Sequence, residues 1–353
     1  TIYVGPSISS AYPTRYTNTD GSGGGGYYDF GSGKGDINLN HDKNFVIKGV
    51  AGADSTIFNG EQKMRHFTLD DNQTSATKFI GITFYNGKSS SENGGSISMD
   101  GDTKIQFINC VFDSNRVDYG VGTSVTNNAH GGALYIRGRA NPYFDSCSFI
   151  NNWASGAYAE GGALRFDSAE NETTFRDTIK IANSIFRGNY VITNQSGLGG
   201  AIFNRRNMQI TNSLFIKNGV TSNLYPYSNN SFHHQGGVIF SSPSRGNDSG
   251  SLIIANSTFD QNYNKVGTNY GYPYGAILYL EGNNQSKRKT YIFNSIITNT
   301  SLQQYNSSSE IYIDYTGASN KGHELFTYDQ SGVRLYVNYS IIDGSASQSW
   351  ADD

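Results

Sequence analysis

The sequence predicts an all-β protein built as a parallel β-helix, and two short motifs that alternate along the chain carry that prediction. The first motif is a pair of glycines followed by small or apolar residues, as at Gly131-Gly132-Ala133-Leu134. The second is a phenylalanine followed three residues later by an asparagine, as at Phe149 and Asn152. The glycine pairs begin at residues 94, 131, 161, 199 and 236, and a degenerate copy with a single glycine follows at Gly275-Ala276-Ile277. Neighbouring pairs are 30 to 38 residues apart, a period typical of solenoids and propellers.

Strand patterns rather than helix patterns fill the space between the motifs. The apolar residues form short runs that alternate with polar ones, and Gly, Asn and Ser separate these runs as turns do. The repeat length varies through insertions, while the strand segments keep their length. A propeller blade would need four strands closed by tight hairpins, and the Asn-Gly or Asp-Gly pairs of such hairpins do not recur regularly. The pattern therefore favours a parallel β-helix in which each repeat is one coil.

Stacked coils place equivalent residues above one another, about 4.8 Å apart. The phenylalanines then form an inward column, and each ring contributes roughly 1.5–3 kcal/mol by burial. The asparagines form a second inward column, whose amides are expected to bond to one another and to backbone, because a buried amide without partners is costly. The predicted members of the two columns are Phe112, Phe149, Phe186, Phe215 and Phe259, with Asn115, Asn152, Asn189, Asn218 and Asn262.

Composition argues against several classes of partner. The net charge is −3 and only 16% of the residues are charged, so there is no electrostatic reason to expect nucleic acid or an anionic membrane. No apolar run approaches the roughly 18–20 residues of a membrane-spanning helix, and we expect no membrane insertion. Gly33-Lys34 is followed by Gly35 and does not match a phosphate-binding loop, so no cofactor is expected.

The repeat favours one domain over the two that a length of 353 residues would suggest. We expect residues 1–353 to form a single β-helix domain. Residues 1–36 would be a lead-in and cap, 37–300 the regular coils and 301–353 irregular closing coils.

The two cysteines occupy equivalent places on successive coils. Cys110 precedes Phe112 by two residues and Cys147 precedes Phe149 by two. Their expected separation lies within the Cα range of disulfides, about 4.4–6.8 Å, and a bridge would suit an exported protein. The alternative is a pair of buried thiols in a column that serine occupies elsewhere, and both interpretations stay open. Sequons for N-glycosylation, ten in all, weakly favour a secreted, glycosylated surface.

Insertions between each Asn and the next glycine pair are interpreted as loops that project from one side of the solenoid. They cover residues 116–130, 153–160, 190–198, 219–235 and 263–274, and they are nearly uncharged and aromatic. Tyrosine offers a flat apolar face and a hydroxyl to a sugar or a protein. The alternative is that these loops pack on themselves. The candidate binding or interface residues are Tyr225, Tyr227, Tyr270, Tyr272 and Tyr274.

A second family of insertions follows the strand that comes after each glycine pair, and these insertions are rich in charged residues. Its Arg205-Arg206 pair could bind an acidic glycan, although a solvated corner is the more common state of such a pair. His233-His234 could ligate a metal, but adjacent loop residues point apart and no further ligand is near, so surface imidazoles are the preferred interpretation.

Hydrolase or lyase chemistry is the main alternative for a fold of this kind. A hydrolase needs carboxylates roughly 5–9.5 Å apart on one face, and a lyase needs calcium ligands on adjacent coils beside an Arg or Lys base. Asp113 and Asp260 follow the phenylalanines of coils that are not adjacent, and Ile150, Arg187 and Ile216 occupy the coils between them. No acidic column results, so no catalytic or metal-ligating residue is assigned.

The combination of Gly-Gly-Ala-Ile/Leu with Phe-x-x-Asn resembles the repeats of chlamydial polymorphic outer-membrane proteins. It is also similar to the adhesin-like surface proteins of methanogenic archaea, in which runs such as Ile210-Thr211-Asn212-Ser213-Leu214-Phe215 are usual. The resemblance extends from about Asn93 to Thr300. It implies a right-handed β-helix located outside the cell or at its surface, with a role in adhesion or envelope architecture.

These observations predict a non-catalytic extracellular protein, either a subunit of a cell-surface assembly such as a sheath, surface layer or filament, or an adhesin. The expected partners are further copies of the chain or a cell-surface or glycan ligand. A polysaccharide lyase or glycoside hydrolase acting on an extracellular glycan is the alternative.

Overall fold

The structure is a computed structural model of the chain. It describes residues 1–4, 15–16, 27–28, 37–39, 43–70, 73–120, 127–167, 177–222, 232–242, 251–266, 271–281, 288–298, 301–305, 311–312, 325–328 and 333–342.

Every regular element in these ranges is a β-strand, and the strands form four long sheets, numbered here I to IV in the order in which the chain passes through them. Sheet I contains Ile2–Val4, Val46–Gly49, Thr77–Ile80, Ile105–Ile108, Tyr143–Asp145, Ile179–Ala182, Met208–Thr211, Ser251–Ala255, Arg288–Phe293 and Val333–Asn338. Sheet II contains Ile57–Asn59, Thr83–Tyr85, Val111–Asp113, Ser148–Ile150, Ile185–Arg187, Leu214–Ile216, Thr258–Asp260, Ile296–Thr298 and Ile341–Ile342. Sheet III contains Lys88–Ser89, Arg116–Asp118, Asn128–His130, Trp153–Glu160, Tyr190–Leu198, Gly219–Ser222, Phe232–Gln235, Tyr263–Val266, Gly271–Tyr274, Ser301–Tyr305 and Ile311–Tyr312. Sheet IV contains Ile37–Asn38, Phe67–Leu69, Ile97–Met99, Leu134–Ile136, Leu164–Phe166, Ile202–Asn204, Ile239–Ser241, Leu278–Glu281 and Leu325–Tyr328. Arg15–Tyr16 and Tyr27–Tyr28 form a separate small sheet.

The chain passes through sheets I, II, III and IV and then returns to sheet I, and each strand pairs with the equivalent strands of the passages before and after it. We call one such passage a coil. Phe112, for example, pairs with Phe84 of the preceding coil and Phe149 of the following one. The pairing is parallel in all four sheets except between Ser301–Tyr305 and Ile311–Tyr312. The predicted all-β class and parallel pairing are confirmed, and the arrangement is consistent with a β-solenoid or β-helix.

Phenylalanine columns fill the main core. In sheet II the middle residue of successive strands from Phe84 to Phe259 is a fully buried phenylalanine, and neighbouring rings lie 4.6–5.0 Å apart and within 12° of parallel. A second column in sheet I meets the first edge-on, with the ring centroids of Phe107 and Phe112 5.6 Å apart at 71°. This alternation of stacked and edge-to-face contacts lets aromatic rings fill the interior without gaps. The members of the sheet II column are Phe84, Phe112, Phe149, Phe186, Phe215 and Phe259, followed by Ile297.

The glycine pairs form the corner that leads into sheet IV, and the two glycines meet different demands. Gly161 has a φ of 66°, in the left-handed region that side chains disfavour. A Cβ added to Gly162 would lie 2.1 Å from the carbonyl oxygen of Gly200 and 2.5 Å from that of Tyr190. The first glycine therefore permits the bend, and the second permits close approach of the next coil.

Two of the insertions predicted as projecting loops are strands instead. Trp153–Glu160 and Tyr190–Leu198 pair in parallel along most of their length, with one irregularity between Gly156 and Tyr158. The loop prediction was wrong here, because insertions of similar length on successive coils continue the same hydrogen-bonded ladder instead of leaving it. Ala154, Ala159 and Val191 of these two strands form a second small core beside the main one, together with Val117, Ala129 and Val220 of the other strands of sheet III.

Within the described ranges there is no helix long and apolar enough to cross a membrane.

Candidate functional site

The asparagines of the second motif form a continuous hydrogen-bonded ladder at the corner between sheets II and III. The Nδ2 group of Asn152 donates to the carbonyl of Phe112 at 2.9 Å and to Oδ1 of Asn189 at 3.0 Å. Its own Oδ1 accepts from both the backbone N–H and the side-chain amide of Asn115, each at 3.0 Å. The same contacts recur along the column, and every member is fully buried. The ladder satisfies each buried amide and fixes the register of the coils.

A second ladder contains both cysteines, at the corner between sheets I and II. The backbone N–H of Cys147 donates to the hydroxyl of Ser184 at 3.2 Å, and that of Ser184 donates to the hydroxyl of Ser213 at 3.2 Å. Cys110 and Cys147 are free, buried thiols in the structure, and burial raises the pKa of the Cys147 thiol well above its usual range. The arrangement is that of the second interpretation, in which the cysteines fill a serine column.

An ion-pair network with aromatic neighbours lies on the outer face of sheet IV. Arg165 lies between the rings of Tyr135 and Phe203, at 5.2 and 5.0 Å from their centroids, because these residues occupy the same position on three successive coils. Its Nε donates to Glu160 at 2.6 Å and its Nη1 to Asp167 at 2.7 Å. Stacking and charge pairing together hold a guanidinium that is almost fully buried.

The carboxylates of Glu160 and Asp167 are both bonded to the guanidinium of Arg165. They form a structural network and do not have the arrangement of a general acid and a general base on either side of a substrate. Arg205 adds a second contact to Asp167 at 3.3 Å and lies over the ring of Phe203 at 5.1 Å. The stack continues from Phe203 to Phe240 and Tyr279, with ring centroids 5.0 and 5.4 Å apart. Sequence reasoning missed this network. Its signal was an arginine in register between two aromatic residues at the outward position of the glycine-pair strands.

Arg206 does not have the solvated position that the sequence predicted for the Arg205-Arg206 pair. It is 4% exposed and donates to three backbone carbonyls, those of Asp167 at 2.6 Å and of Ala140 and Gly138 at 2.5 Å each. The interpretation of a solvated Arg205-Arg206 pair is wrong for Arg206, because its guanidinium bonds carbonyls of preceding insertions and so joins them. His234 is likewise buried rather than on the surface.

Two histidines have a lowered pKa because they are largely removed from water. His66 lies fully buried between the Ser96 hydroxyl, 3.0 Å from Nδ1, and the Phe58 carbonyl, 2.8 Å from Nε2. Burial lowers its pKa to about 4. Burial, followed by the positive charge of Arg165, lowers the pKa of His130 to about 4 as well. Although Nε2 of His130 lies 3.5 Å from Glu160, we take the contact as a neutral one and Arg165 as the cation that pairs with Glu160.

These histidines predict a loss of stability in mild acid. Below its usual pKa of about 6.5 each imidazole takes up a proton in the unfolded chain but not in the folded one. Each side chain therefore lowers the free energy of unfolding by up to about 1.4 kcal/mol per pH unit as the pH falls from about 6.5 towards 4. Urea denaturation across this range measures the slope. The His66→Gln variant should show a shallower slope, and an unchanged slope would contradict the assignment.

The tyrosine candidates are only partly within the described residues. Tyr225, Tyr227 and Tyr270 lie outside them. Tyr272 and Tyr274 belong to the strand Gly271–Tyr274, opposite His233 and Gln235 respectively. That strand corrects the prediction of a loop at 271–274, and the reason is the same as for Trp153–Glu160 and Tyr190–Leu198: it pairs in register with the strand Phe232–Gln235 of the preceding coil.

The outer face of sheet II is a second candidate surface, and we call it the sheet II face. It comprises two outward columns, one on each side of the buried phenylalanines. Ile185 and Ile296 are 40% and 41% exposed. A row of exposed amides borders the face, in which Asn256 donates to Asn212 at 3.1 Å and Asn294 to Asn256 at 2.8 Å. The two columns are Val111, Ser148, Ile185, Leu214, Thr258 and Ile296, and Asp113, Ile150, Arg187, Ile216, Asp260 and Thr298.

No group of three or more His, Cys, Asp or Glu side chains that could hold a metal ion occurs in the described part of the chain. Comparison with protein-family models, curated proteins and solved structures finds no match.

Proposed function

We propose that this chain is a right-handed parallel β-helix with a non-catalytic role at the cell surface, as a subunit of an assembly such as a sheath, surface layer or filament, or as an adhesin. The observation that carries the proposal is the regular outer surface of the coils. The sheet II face extends over successive coils in two in-register columns. A repetitive face of this kind suits contact with an equally repetitive partner.

The use of polar groups also supports the proposal. The carboxylates of Glu160 and Asp167 are both engaged by Arg165, and the buried asparagines are engaged by one another and by backbone. Such groups stabilise the stack of coils and are not arranged around a vacant reaction centre. Self-association and attachment to a glycan are the roles that the remaining surface would serve.

The proposal is tested by incubating the purified chain with a panel of extracellular polysaccharides, including pectins, alginate and cell-wall glycans. We expect no release of reducing ends and no unsaturated products, while electron microscopy at rising protein concentration shows ordered assemblies or pull-down shows glycan binding. Release of products at a rate proportional to enzyme concentration would overturn the proposal in favour of a lyase or hydrolase.

A further inference from the structure

The second column of the sheet II face has a charge order that is the same in both directions. Pairing in register places Asp113, Ile150, Arg187, Ile216 and Asp260 on five successive coils. The order is therefore acid, isoleucine, arginine, isoleucine, acid. Asp113 is half-buried and Arg187 is exposed. In the part of the chain that the structure describes, no carboxylate forms an ion pair with Arg187.

This order suits one particular pairing of two copies. Strands are about 4.8 Å apart, so Asp113 and Arg187 lie about 10 Å apart, one coil on either side of Ile150. A two-fold axis along the strand direction at the level of Ile150 places each Arg187 opposite Asp113 of the second copy. An axis along the stack that runs over this column would instead oppose Arg187 to Arg187 and Asp113 to Asp113, which like-charge repulsion disfavours. An axis along the stack that runs between the two columns would oppose Arg187 to Ile185 and Asp113 to Val111, leaving each charge against an apolar side chain.

The neighbouring column fits the same arrangement. An axis at the level of Ile150 brings Val111 of one copy opposite Ile185 of the other, and Ser148 opposite itself. An axis at Ile216 would also pair Arg187 with an acid, Asp260, but it would place Ile185 opposite Thr258. Asp260 is moreover already bonded to the hydroxyl of Thr298 at 3.2 Å and the amide of Gln261 at 3.1 Å. Asp113 accepts one such bond, from the hydroxyl of Ser114 at 2.8 Å, and its second oxygen is left for Arg187. The Ile150 axis therefore joins more apolar surface and a carboxylate with one hydrogen bond instead of two.

We propose that the sheet II face binds the same face of a second copy in an antiparallel two-fold arrangement, in which Arg187 of each copy contacts Asp113 of the other. The interface is isologous, as most dimer interfaces are. This inference rests on the proposed function, because it names the partner and the surface of the assembly. A sugar ligand fits this face less well, since Tyr85, in register with Asp113, is the single aromatic residue at the outward positions of the sheet II strands from Ile57 to Thr298.

Charge reversal tests the pairing, because the two single variants have opposite defects. The two-fold interface contains two contacts between residues 187 and 113. In Arg187→Asp both of these contacts join acid to acid, and in Asp113→Arg both join arginine to arginine. We expect each variant to weaken self-association by about tenfold or more in sedimentation velocity. An equimolar mixture of the two variants should regain association, because every Asp of one chain then faces an Arg of the other.

Lys180→Asp provides the matched control, since Lys180 is an exposed cation on the outer face of sheet I. It should associate like the parent chain, and all variants should keep the parent's unfolding midpoint. The inference is overturned if the parent chain stays monomeric at every concentration, if Arg187→Asp associates normally, or if the mixture does not recover. Recovery by Asp260→Arg instead of Asp113→Arg would also overturn it, in favour of the Ile216 axis. None of these outcomes bears on the polysaccharide assay, so the two proposals fail separately.

Discussion

Replacing Gly162 with alanine is expected to lower the free energy of unfolding by about 3–5 kcal/mol, among the largest effects of any single substitution. The added Cβ would lie 2.1 Å from the carbonyl oxygen of Gly200 and 2.5 Å from that of Tyr190. Both obstacles are backbone atoms of the adjacent coil, so relief requires separating the coils and weakening the strand pairs on either side. Chemical denaturation of the variant and the parent measures the difference.

Gly188→Asn is the matched control, because it tests a glycine whose place in the coil tolerates a side chain. Gly188 has a φ of 65°, and the equivalent residues of neighbouring coils, Asn151 and Lys217, adopt 53° and 56°. An added Cβ meets only the side chain of Asn151. We expect a change within about 1 kcal/mol. Similar losses for Gly188→Asn and Gly162→Ala would contradict the account of close coil approach.

Replacing Asn152 with alanine is expected to cost about 3–5 kcal/mol, because it interrupts the buried amide ladder from both sides. The change removes the donor to the carbonyl of Phe112 and to Asn189, and it removes the acceptor for the backbone N–H of Asn115. Each buried group left without a partner costs roughly 1–3 kcal/mol. Urea denaturation should show the loss as a lower midpoint with an unchanged slope.

The exposed asparagines that border the sheet II face provide a control for the Asn152→Ala prediction. Asn212 donates to Asn183 at 3.2 Å and accepts from Asn256 at 3.1 Å, but these contacts are exposed to water. Asn212→Gly keeps the left-handed backbone, whose φ is 50°, and is expected to cost less than about 1 kcal/mol. If the inner and outer replacements cost the same, the stabilising role of burial in the ladder would be refuted.

The parallel pairing could be predicted because its determinants are local and repeat in the sequence. The constant interval from Phe112 to Asn115, found again from Phe149 to Asn152, places both residues at fixed points of every coil. Once coils stack, register follows without knowledge of any long-range contact. The glycine pairs recur at a fixed point of the repeat for the same reason, but the separate demands on Gly161 and Gly162 emerge only from backbone geometry.

The outer surfaces could not be predicted as well, since their contacts depend on insertions of unequal sequence length. Arg206 bonds the carbonyls of Gly138 and Ala140, which lie 68 and 66 residues earlier in the chain. No local pattern marks such a partner. Similarly, Trp153–Glu160 was predicted as a projecting loop, and it is a strand because Tyr190–Leu198 on the next coil is of similar length and pairs with it. The charge order from Asp113 to Asp260 was visible in the sequence, but its meaning required the register.

The stacking of coils is tested most directly by distances between spin labels placed along one outward column of sheet I. Lys78 is followed in register by Gln106, Tyr143, Lys180, Gln209, Ile253 and Tyr291. In a background with Cys110 and Cys147 replaced by serine, pulsed electron paramagnetic resonance would measure the separations from position 78 to 209, 253 and 291. The account predicts backbone separations of about 19, 24 and 29 Å, an increment of one strand spacing per coil. Separations well outside these values, or steps between successive positions that differ from one strand spacing, would contradict the stacking of coils.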